Sequence, residues 1–268
     1  MTKYPELTLI VNNRQVEWEE VKHWKARRAA VVLQLFKDLD QKLILNNVPL
    51  AKNNFYTLSD DELIEAAKET KLAISPEKMG ILLENEFKKS GLLWHEFVAD
   101  TSENMPLKEM HIQIDITGIS PNLVGNLDNI GGTNALVNAF DLHPEHYIFG
   151  QSGNVQDVAE TFGEFGGPTH FKLEMLNPKS ANEFTTINPN TKKIIFGKGT
   201  LASDNFEINQ YALHQFMPNK AGNGLHVDLG LFAPYGVPDV AIIGHQQHFA
   251  IEFASLFTKM LDQIHNFA

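Results

Sequence analysis

Hydrophobic residues recur at helical spacing along much of the first hundred residues. After a short apolar strand-like run at 7–11, residues 15–46 carry apolar side chains three or four positions apart, which predicts an amphipathic helix. Ser59, followed by three acidic residues, predicts the N-cap of a second helix. Ser75, followed by a proline, predicts the start of a third helix that runs through Trp94 and Phe97. Residues 1–105 are therefore predicted to form a mostly helical N-terminal region.

From residue 106 the hydrophobic period changes from that of a helix to that of a strand. Apolar and polar residues alternate in 110–118, 170–176, 192–197, 206–216 and 225–232, and clusters of glycine and proline separate these stretches. A long helix is predicted from just after Pro238 to about residue 264. This order predicts an α+β domain over 106–268. The preferred arrangement is the helix-grip (START-like) fold, a curved antiparallel sheet wrapped around the C-terminal helix.

Composition restricts the partners and the chemistry. The 268 residues carry a formal net charge of −11, with a single short basic cluster at 25–28, which argues against nucleic acid or an anionic membrane as partner. The chain has no cysteine, so disulfides, thiolate metal ligands and cysteine nucleophiles are excluded. A bound metal ion would have to use histidine, aspartate and glutamate.

The beginning of the chain lacks the basic and then apolar pattern of a signal peptide. No apolar run approaches the length of a membrane span. A cytoplasmic protein is therefore expected.

Two stretches have the form His-x-x-x-Glu. His170 and Glu174 lie on a predicted strand, whereas His248 and Glu252 lie on the C-terminal helix, where a spacing of four places both on one face. That pair could bind one metal ion. Alternatively, the face is the solvated side of an ordinary amphipathic helix whose phenylalanines cover the other side. His245 is predicted to lie at the surface or beside the ligands.

The segment 141–149 brings His143, Glu145 and His146 together around a proline. This is either a chance feature of a loop or a first metal ligand with a nearby acid–base group at the mouth of a cavity. Two further histidines share a strand face with an aspartate, His111 with Asp115 and His226 with Asp228, and a solvent-facing polar stripe explains both pairs. The pattern leaves open whether His170, His226 and Asp228 line the cavity.

The order of motifs from His143 onward resembles the hydrolases of 2,4-diacetylphloroglucinol and phloretin. These are zinc-dependent enzymes that cleave the carbon–carbon bond between an acyl group and a phloroglucinol ring. The stretches that carry the resemblance are 143–146 (HPEH), 171–178 (FKLEMLNP), 212–232 and 237–257. The N-terminal region does not share it. The family also has more arginine and aromatic residues around the strand that precedes the last helix.

The resemblance implies a helix-grip catalytic domain that holds one Zn²⁺ by two histidines and two glutamates. Carried onto this chain, the ligands are His143, Glu174, His248 and Glu252. The short motif aligns almost as well when shifted by three residues, which leaves the choice between His143 and His146 open. His214 resembles a histidine that lines the family's substrate pocket, and either His146 or His214 could be the catalytic acid–base group.

The expected function is that of a hydrolase that acts on the carbon–carbon bond of a small acylated polyphenol, releasing a carboxylic acid and the phenol. One alternative is a metal-free protein that binds an apolar small molecule, since helix-grip domains often enclose a ligand without catalysis. Another is a different metalloenzyme on the same scaffold, such as a decarboxylase, a cyclase or an ester hydrolase. The N-terminal region could form a lid or the surface of a homodimer.

Overall fold

The structure, a computed structural model, describes residues 6–51, 54–102, 104–120 and 135–267. The strands are β1 (Leu7–Val11), β2 (Arg14–Val16), β3 (Ile44–Leu45), β4 (Val48–Pro49), β5 (Lys108–Thr117), β6 (His146–Ser152), β7 (Val155–Thr161), β8 (Pro168–Met175), β9 (Lys193–Leu201), β10 (Glu207–Pro218) and β11 (Gly224–Ala233). The helices are α1 (Trp18–Asp38), α2 (Asp60–Leu72), α3 (Pro76–Leu82), α4 (Glu84–Ala99), α5 (Ala135–Leu142) and α6 (Asp239–Phe267).

Nine of these strands form one antiparallel sheet in the order β2-β1-β5-β11-β10-β9-β8-β7-β6, and β3 pairs only with β4. An α+β fold with a large antiparallel sheet and a long C-terminal helix is thus confirmed. β6, β7 and α5 were not predicted from the sequence. β1 pairs with β5, with Leu9 opposite Ile114, so residues of the N-terminal region belong to the main sheet. The domain boundary at residue 105 stays a prediction.

The main core lies between α6 and one face of the sheet. On β5 the alternate residues Ile112, Ile114 and Ile116 are fully buried, and so are Val227 and Leu229 on the neighbouring β11. Side chains alternate between the two faces of a strand, so these residues share one face and their polar neighbours share the other. α6 contributes apolar side chains to the same cluster. The hydrophobic period of the two strands therefore decides which face of the sheet the helix covers.

The N-terminal helices begin where the sequence predicts and end differently. The Ser59 hydroxyl accepts a hydrogen bond from Glu62 N–H and the Glu62 side chain accepts one from Ser59 N–H, a capping box that starts α2. α1 ends at Asp38 rather than near residue 46, because the chain turns at Asp40, whose φ is +56°. The single helix predicted from Ser75 is two helices, α3 and α4.

A second core joins α1, α2 and α3 to the sheet. Phe36, Phe55 and Met79 pack there with Tyr147 of β6 and Ala159 of β7. On β7, Ala159 lies between Val158 and Glu160, which face the other way. The N-terminal helices therefore cover the face of β6 and β7 that is turned away from the site described below. No helix within the described ranges is long and apolar enough to span a lipid bilayer.

Candidate metal centre

Three buried histidines converge where α5 ends, β6 begins and α6 passes over the sheet. His143 N–H donates to Ala139 O at 3.1 Å and closes the last turn of α5, and His146 starts β6 three residues later. The ring of His143 stacks on that of His248 at 3.9 Å between centroids, and His146 Nε2 lies 3.3 Å from His248 Nε2. One ring nitrogen of each histidine lies within 4.8 Å of the others, so the three residues could hold a metal ion.

The hydrogen bonds of the rings distinguish His146 from His143. His146 Nδ1 lies 3.0 Å from Ala139 O, and because a carbonyl only accepts, Nδ1 is the donor and Nε2 keeps its lone pair. A backbone carbonyl that fixes the tautomer in this way is typical of metal-binding histidines. His143 Nδ1 instead accepts from Glu145 N–H at 3.1 Å, so its proton is on Nε2. This arrangement favours His146 as the ligand in the choice that the motif left open.

Two carboxylates complete the cluster. Glu160 Oε2 lies 3.6 Å from His146 Nε2 and 3.7 Å from His248 Nε2, and Glu252 Oε2 lies 3.9 Å from His248 Nε2. Ligand atoms around a tetrahedral zinc ion are about 3.3 Å apart, since each bond is about 2.0–2.1 Å long. The distances among His146 Nε2, His248 Nε2 and Glu160 Oε2, 3.3 to 3.7 Å, are close to this value. Imidazole nitrogens and carboxylate oxygens are ligands that zinc and other divalent metal ions accept, so these residues could hold such an ion.

Glu174, predicted as a ligand from the resemblance, does not lie in this cluster. Its side chain is exposed, and its nearest hydrogen-bonding partner is Asn154 Nδ2 at 3.5 Å. The neighbouring residues Leu173 and Met175 face the cavity, so the alternation of β8 turns Glu174 to the other face of the sheet. Glu160 is the carboxylate near the histidines instead. The sequence holds no clear signal for it, because apolar and polar residues do not alternate in 155–161 (VQDVAET).

The electrostatics of the cluster disfavour charge in the absence of a cation. Burial, and then the charge of Glu252, raises the pKa of Glu160 to about 8, and burial raises the pKa of Glu252 to about 7. Burial lowers the pKa of His146 to about 3 and the pKa values of His143 and His248 well below the ordinary value. A bound divalent cation would lower the pKa values of Glu160 and Glu252 again, because it favours the ionised form of both carboxyl groups.

The cluster borders a cavity of about 470 Å³ beneath α6. Most of the remaining walls are apolar and come from β6 to β10: Phe149, Val158, Leu173, Met175, Ile195, Phe196, Ala212 and Phe216. A volume of this size is ordinary for a site that encloses a small molecule. The polar lining away from the histidine cluster includes Gln151, Gln156, Lys193 and Gln210.

His214 of β10 lines the same cavity. Its ring lies edge-on to Phe249 and Phe253 at 5.0 and 5.4 Å, and its Nδ1 has no hydrogen-bond partner among the described residues. Burial lowers the pKa of His214 to about 4, so the ring is neutral near pH 7. Phe249 and Phe253 line the cavity together with His248 and Glu252. These two phenylalanines of α6 therefore lie on the cavity side of the helix, beside the two residues of its His-x-x-x-Glu motif.

His245 is buried, with 3% of its surface exposed, and borders the cavity one turn before His248. It is therefore not a surface residue. Its ring stacks on Phe162 at 4.5 Å and lies parallel to the ring of His248 at 5.0 Å.

Two buried lysines of the N-terminal helices hold the backbone that carries the histidines. Lys71 of α2 donates from Nζ to Pro144 O at 2.5 Å and to His146 O at 2.8 Å. Lys25 of α1 donates to Asp141 O in the last turn of α5. Both side-chain nitrogens donate hydrogen bonds to backbone carbonyl oxygens at the end of α5 and in the turn after it. The N-terminal helices thus position the turn between α5 and β6.

An ion pair holds the same turn from α1. Arg28 Nε and Nη2 donate to the two carboxylate oxygens of Glu145 at 2.7 and 2.5 Å, and the side chain of Glu145 is 1% exposed. The bidentate geometry is the strong form of this interaction. Glu145 N–H is also the donor to His143, so the pair fixes the hydrogen bond that sets the tautomer of that ring.

The remaining candidate histidines lie outside the cavity. His170 contacts Asp157 at 2.7 Å, and the strand alternation places both on the face of β7 and β8 turned away from the cavity. His111 bonds Asp228 at 2.6 Å and His226 bonds Asp115 at 3.0 Å across β5 and β11. Their buried apolar neighbours face α6, so these pairs form the polar stripe on the opposite face.

Comparisons with other proteins do not assign the chain to a family or give it a function. No protein family matches the chain, and no curated protein sequence matches it. Among solved structures, the protein XoxI from Bacillus cereus is 20% identical over 58% of this chain and 99% of its own, with a TM-score of 0.32. A likeness this distant carries no argument about function.

Proposed function

We propose that the chain is a zinc-dependent hydrolase that cleaves the carbon–carbon bond between an acyl group and a polyhydroxylated aromatic ring. One observation carries the proposal: His146, His248, Glu160 and Glu252 converge at the wall of an apolar cavity. The proposed ligand set keeps the two histidines and two glutamates that the family resemblance implies. It replaces Glu174 by Glu160 and uses His146 rather than His143.

The helix-grip arrangement belongs to the same proposal. α6 packs against β1 and β5. Residues on another part of α6, among them His248 and Glu252, border the cavity whose remaining walls come mainly from β6 to β10. A sheet that encloses a cavity under one long helix is the feature of the helix-grip fold that ligand-binding members use. The order and the antiparallel pairing of the strands support it.

Hydrolysis of an aryl ketone requires a proton on the ring carbon and water at the acyl carbonyl. When bound, the zinc ion would polarise an oxygen or lower the pKa of a bound water molecule. The apolar walls exclude bulk water and receive the aromatic ring. His214 lines the same cavity and its Nδ1 has no partner among the described residues. This nitrogen is suited to a hydrogen bond with a ring hydroxyl, and such a bond would assist conversion of the ring to its keto tautomer.

Metal analysis followed by a turnover assay tests the proposal. Purified wild type should contain zinc and the Glu252→Ala variant should contain far less. Zinc-loaded wild type should release phloroglucinol-type products from phloretin or a diacylated phloroglucinol. Equally negligible zinc in both proteins would exclude the metal centre and favour a binding protein. Zinc without turnover of any acylphenol would favour a different metalloenzyme.

A matched pair of variants tests the choice of histidine. His146→Gln should lose zinc, because it removes the lone pair that faces the cluster. His143→Gln should keep most of its zinc, because the proton of His143 is on Nε2. Zinc retained by the first variant and lost by the second would reverse the assignment. Circular dichroism of both variants checks that they are folded.

A further inference from the structure

His245 is held in a single orientation by the packing of α6 against a turn after β7. Gly163 has a φ of +58° in the 3-10 turn Phe162–Glu164, and a Cβ on it would lie 1.9 Å from Ala241 O. A Cβ on Gly244 of α6 would lie 1.9 Å from Gly163 O. Two glycines thus let the two backbones approach closely, and this approach brings Gly163 N–H within 3.2 Å of His245 Nδ1.

This hydrogen bond decides the tautomer of the ring. A backbone N–H only donates, so Nδ1 of His245 accepts and the single proton of the neutral ring is on Nε2. The ring also stacks on Phe162 at 4.5 Å and on the parallel ring of His248 at 5.0 Å, contacts that favour this orientation. His245 borders the cavity, and with Nδ1 occupied by Gly163, Nε2 is the ring nitrogen available to a bound molecule.

The geometry points to His245 as a neutral hydrogen-bond donor, through Nε2–H, to the acyl carbonyl oxygen of a ketone held beside the His146–His248 centre. This inference rests on the proposed function and adds a residue to it. A donor aimed at that oxygen stabilises the negative charge that develops when water adds to the carbonyl carbon. A fixed neutral imidazole supplies this hydrogen bond without giving up a proton, so no protonation step precedes the reaction.

Two substitutions separate the roles of the two ring nitrogens. His245→Asn keeps an acceptor near the position of Nδ1 and loses the donor, whereas His245→Gln reaches the position of Nε2 with an amide donor. With the zinc content unchanged, we expect kcat of His245→Asn to fall about 100-fold and KM to rise by about tenfold, because the donor already bonds the carbonyl oxygen in the bound ketone and bonds it more strongly as negative charge develops there. We expect His245→Gln to recover about tenfold of that loss, since it restores a donor. Wild-type kcat in His245→Asn would overturn the inference, and so would equal losses in both variants.

Two further readouts do not depend on turnover. Two-bond ¹H–¹⁵N correlation spectra, assigned by the signals missing from His245→Asn, should show a neutral ring protonated on Nε2 in the metal-free and zinc-loaded protein. An imidazolium, or a ring protonated on Nδ1, would overturn the inference. Binding of 2,4,6-trihydroxyacetophenone to zinc-loaded wild type should be about tenfold tighter than to His245→Asn.

The ketone titration separates this inference from the proposed function. Wild type that binds the ketone more tightly than His245→Asn but cleaves no acylphenol contradicts the hydrolase and supports the donor. Equal binding by the two proteins overturns the donor even if wild type is an active hydrolase. Absence of binding to wild type contradicts both.

Discussion

At the residue scale, the exchange of Glu174 for Glu160 is the sharpest difference between sequence and structure. Glu160→Gln should lower the affinity for zinc by about 10- to 100-fold or more, because it removes one of the two proposed carboxylate ligands. Glu174→Gln changes an exposed side chain on the other face of the sheet and should keep wild-type affinity. Competition with a chromogenic chelator measures both. Zinc loss in Glu174→Gln with none in Glu160→Gln would restore the ligand set implied by the resemblance.

His111 gives a pH-dependent contribution to stability that is independent of the metal centre. Its hydrogen bond to Asp228 raises the pKa of His111 to about 9. Because the folded pKa lies above the unfolded value of about 6.5, the contribution is complete below about pH 6.5 and is lost as the pH rises through 9. The stability difference between wild type and His111→Gln should therefore shrink by about 1 to 3 kcal/mol between pH 6 and pH 10.

Urea unfolding at the two pH values measures this difference. His23→Gln is the matched control, since His23 also contacts an aspartate, Asp60 at 3.1 Å, but is exposed. Its exposed contact should contribute little to the free energy of unfolding at either pH. A difference for His111→Gln that stayed constant from pH 6 to pH 10 would contradict the stabilising role of the Asp228 hydrogen bond.

At the element scale, the close approach of α6 to the turn after β7 should make one helical glycine intolerant of a methyl group. Gly244→Ala places a Cβ 1.9 Å from a backbone oxygen, so α6 must shift. We expect the free energy of unfolding to fall by about 2 to 4 kcal/mol, more than the helix propensity of alanine returns. Thermal or urea unfolding measures the change.

Gly80 in α3 provides the control for this substitution. A Cβ there meets nothing within 4 Å, so Gly80→Ala should raise the free energy of unfolding by about 0.5 to 1 kcal/mol. The two substitutions are chemically the same and should have opposite signs. A neutral Gly244→Ala would show that α6 does not approach Gly163 as closely as described. It would also contradict the inference that this close approach holds Gly163 N–H against His245 Nδ1.

At the scale of the whole molecule, the contacts across residue 105 predict the behaviour of a fragment. Residues 106–268 alone lack β1, which pairs with β5, and lack Lys71 and Arg28, which hold the turn between α5 and β6. We expect this fragment to be insoluble or to give a poorly dispersed NMR spectrum, because it exposes the edge of β5 and the apolar side of β6 and β7.

Co-expression of residues 1–105 completes this experiment. It should recover soluble protein if the missing contacts are the cause, since all nine strands of the main sheet are then present. A fragment 106–268 that folds and binds zinc by itself would instead support the independent catalytic domain predicted from the sequence. The outcome decides whether the N-terminal region is a lid or part of the catalytic scaffold.

Strong, periodic segments were predictable, and weak or non-local features were not. The five predicted strands after residue 106 correspond to β5, β8, β9, β10 and β11, because long alternating runs reflect one buried face. β6 and β7 were missed because their cavity face carries polar residues such as Gln151, Gln156 and Glu160. A strand that lines a polar part of a site lacks the apolar alternation by which strands are recognised.

The sequence by itself determined the α+β class, the C-terminal helix and the pair of His248 and Glu252 on one of its faces. These follow from local spacing, since a helix brings residues four apart together wherever it packs. Only the tertiary structure decided that Glu160 and His146 join this pair, that Glu174 and His170 face away, and that Gly163 fixes the tautomer of His245. Each of these depends on strand register and on backbone hydrogen bonds between segments distant in the chain, which no local pattern encodes.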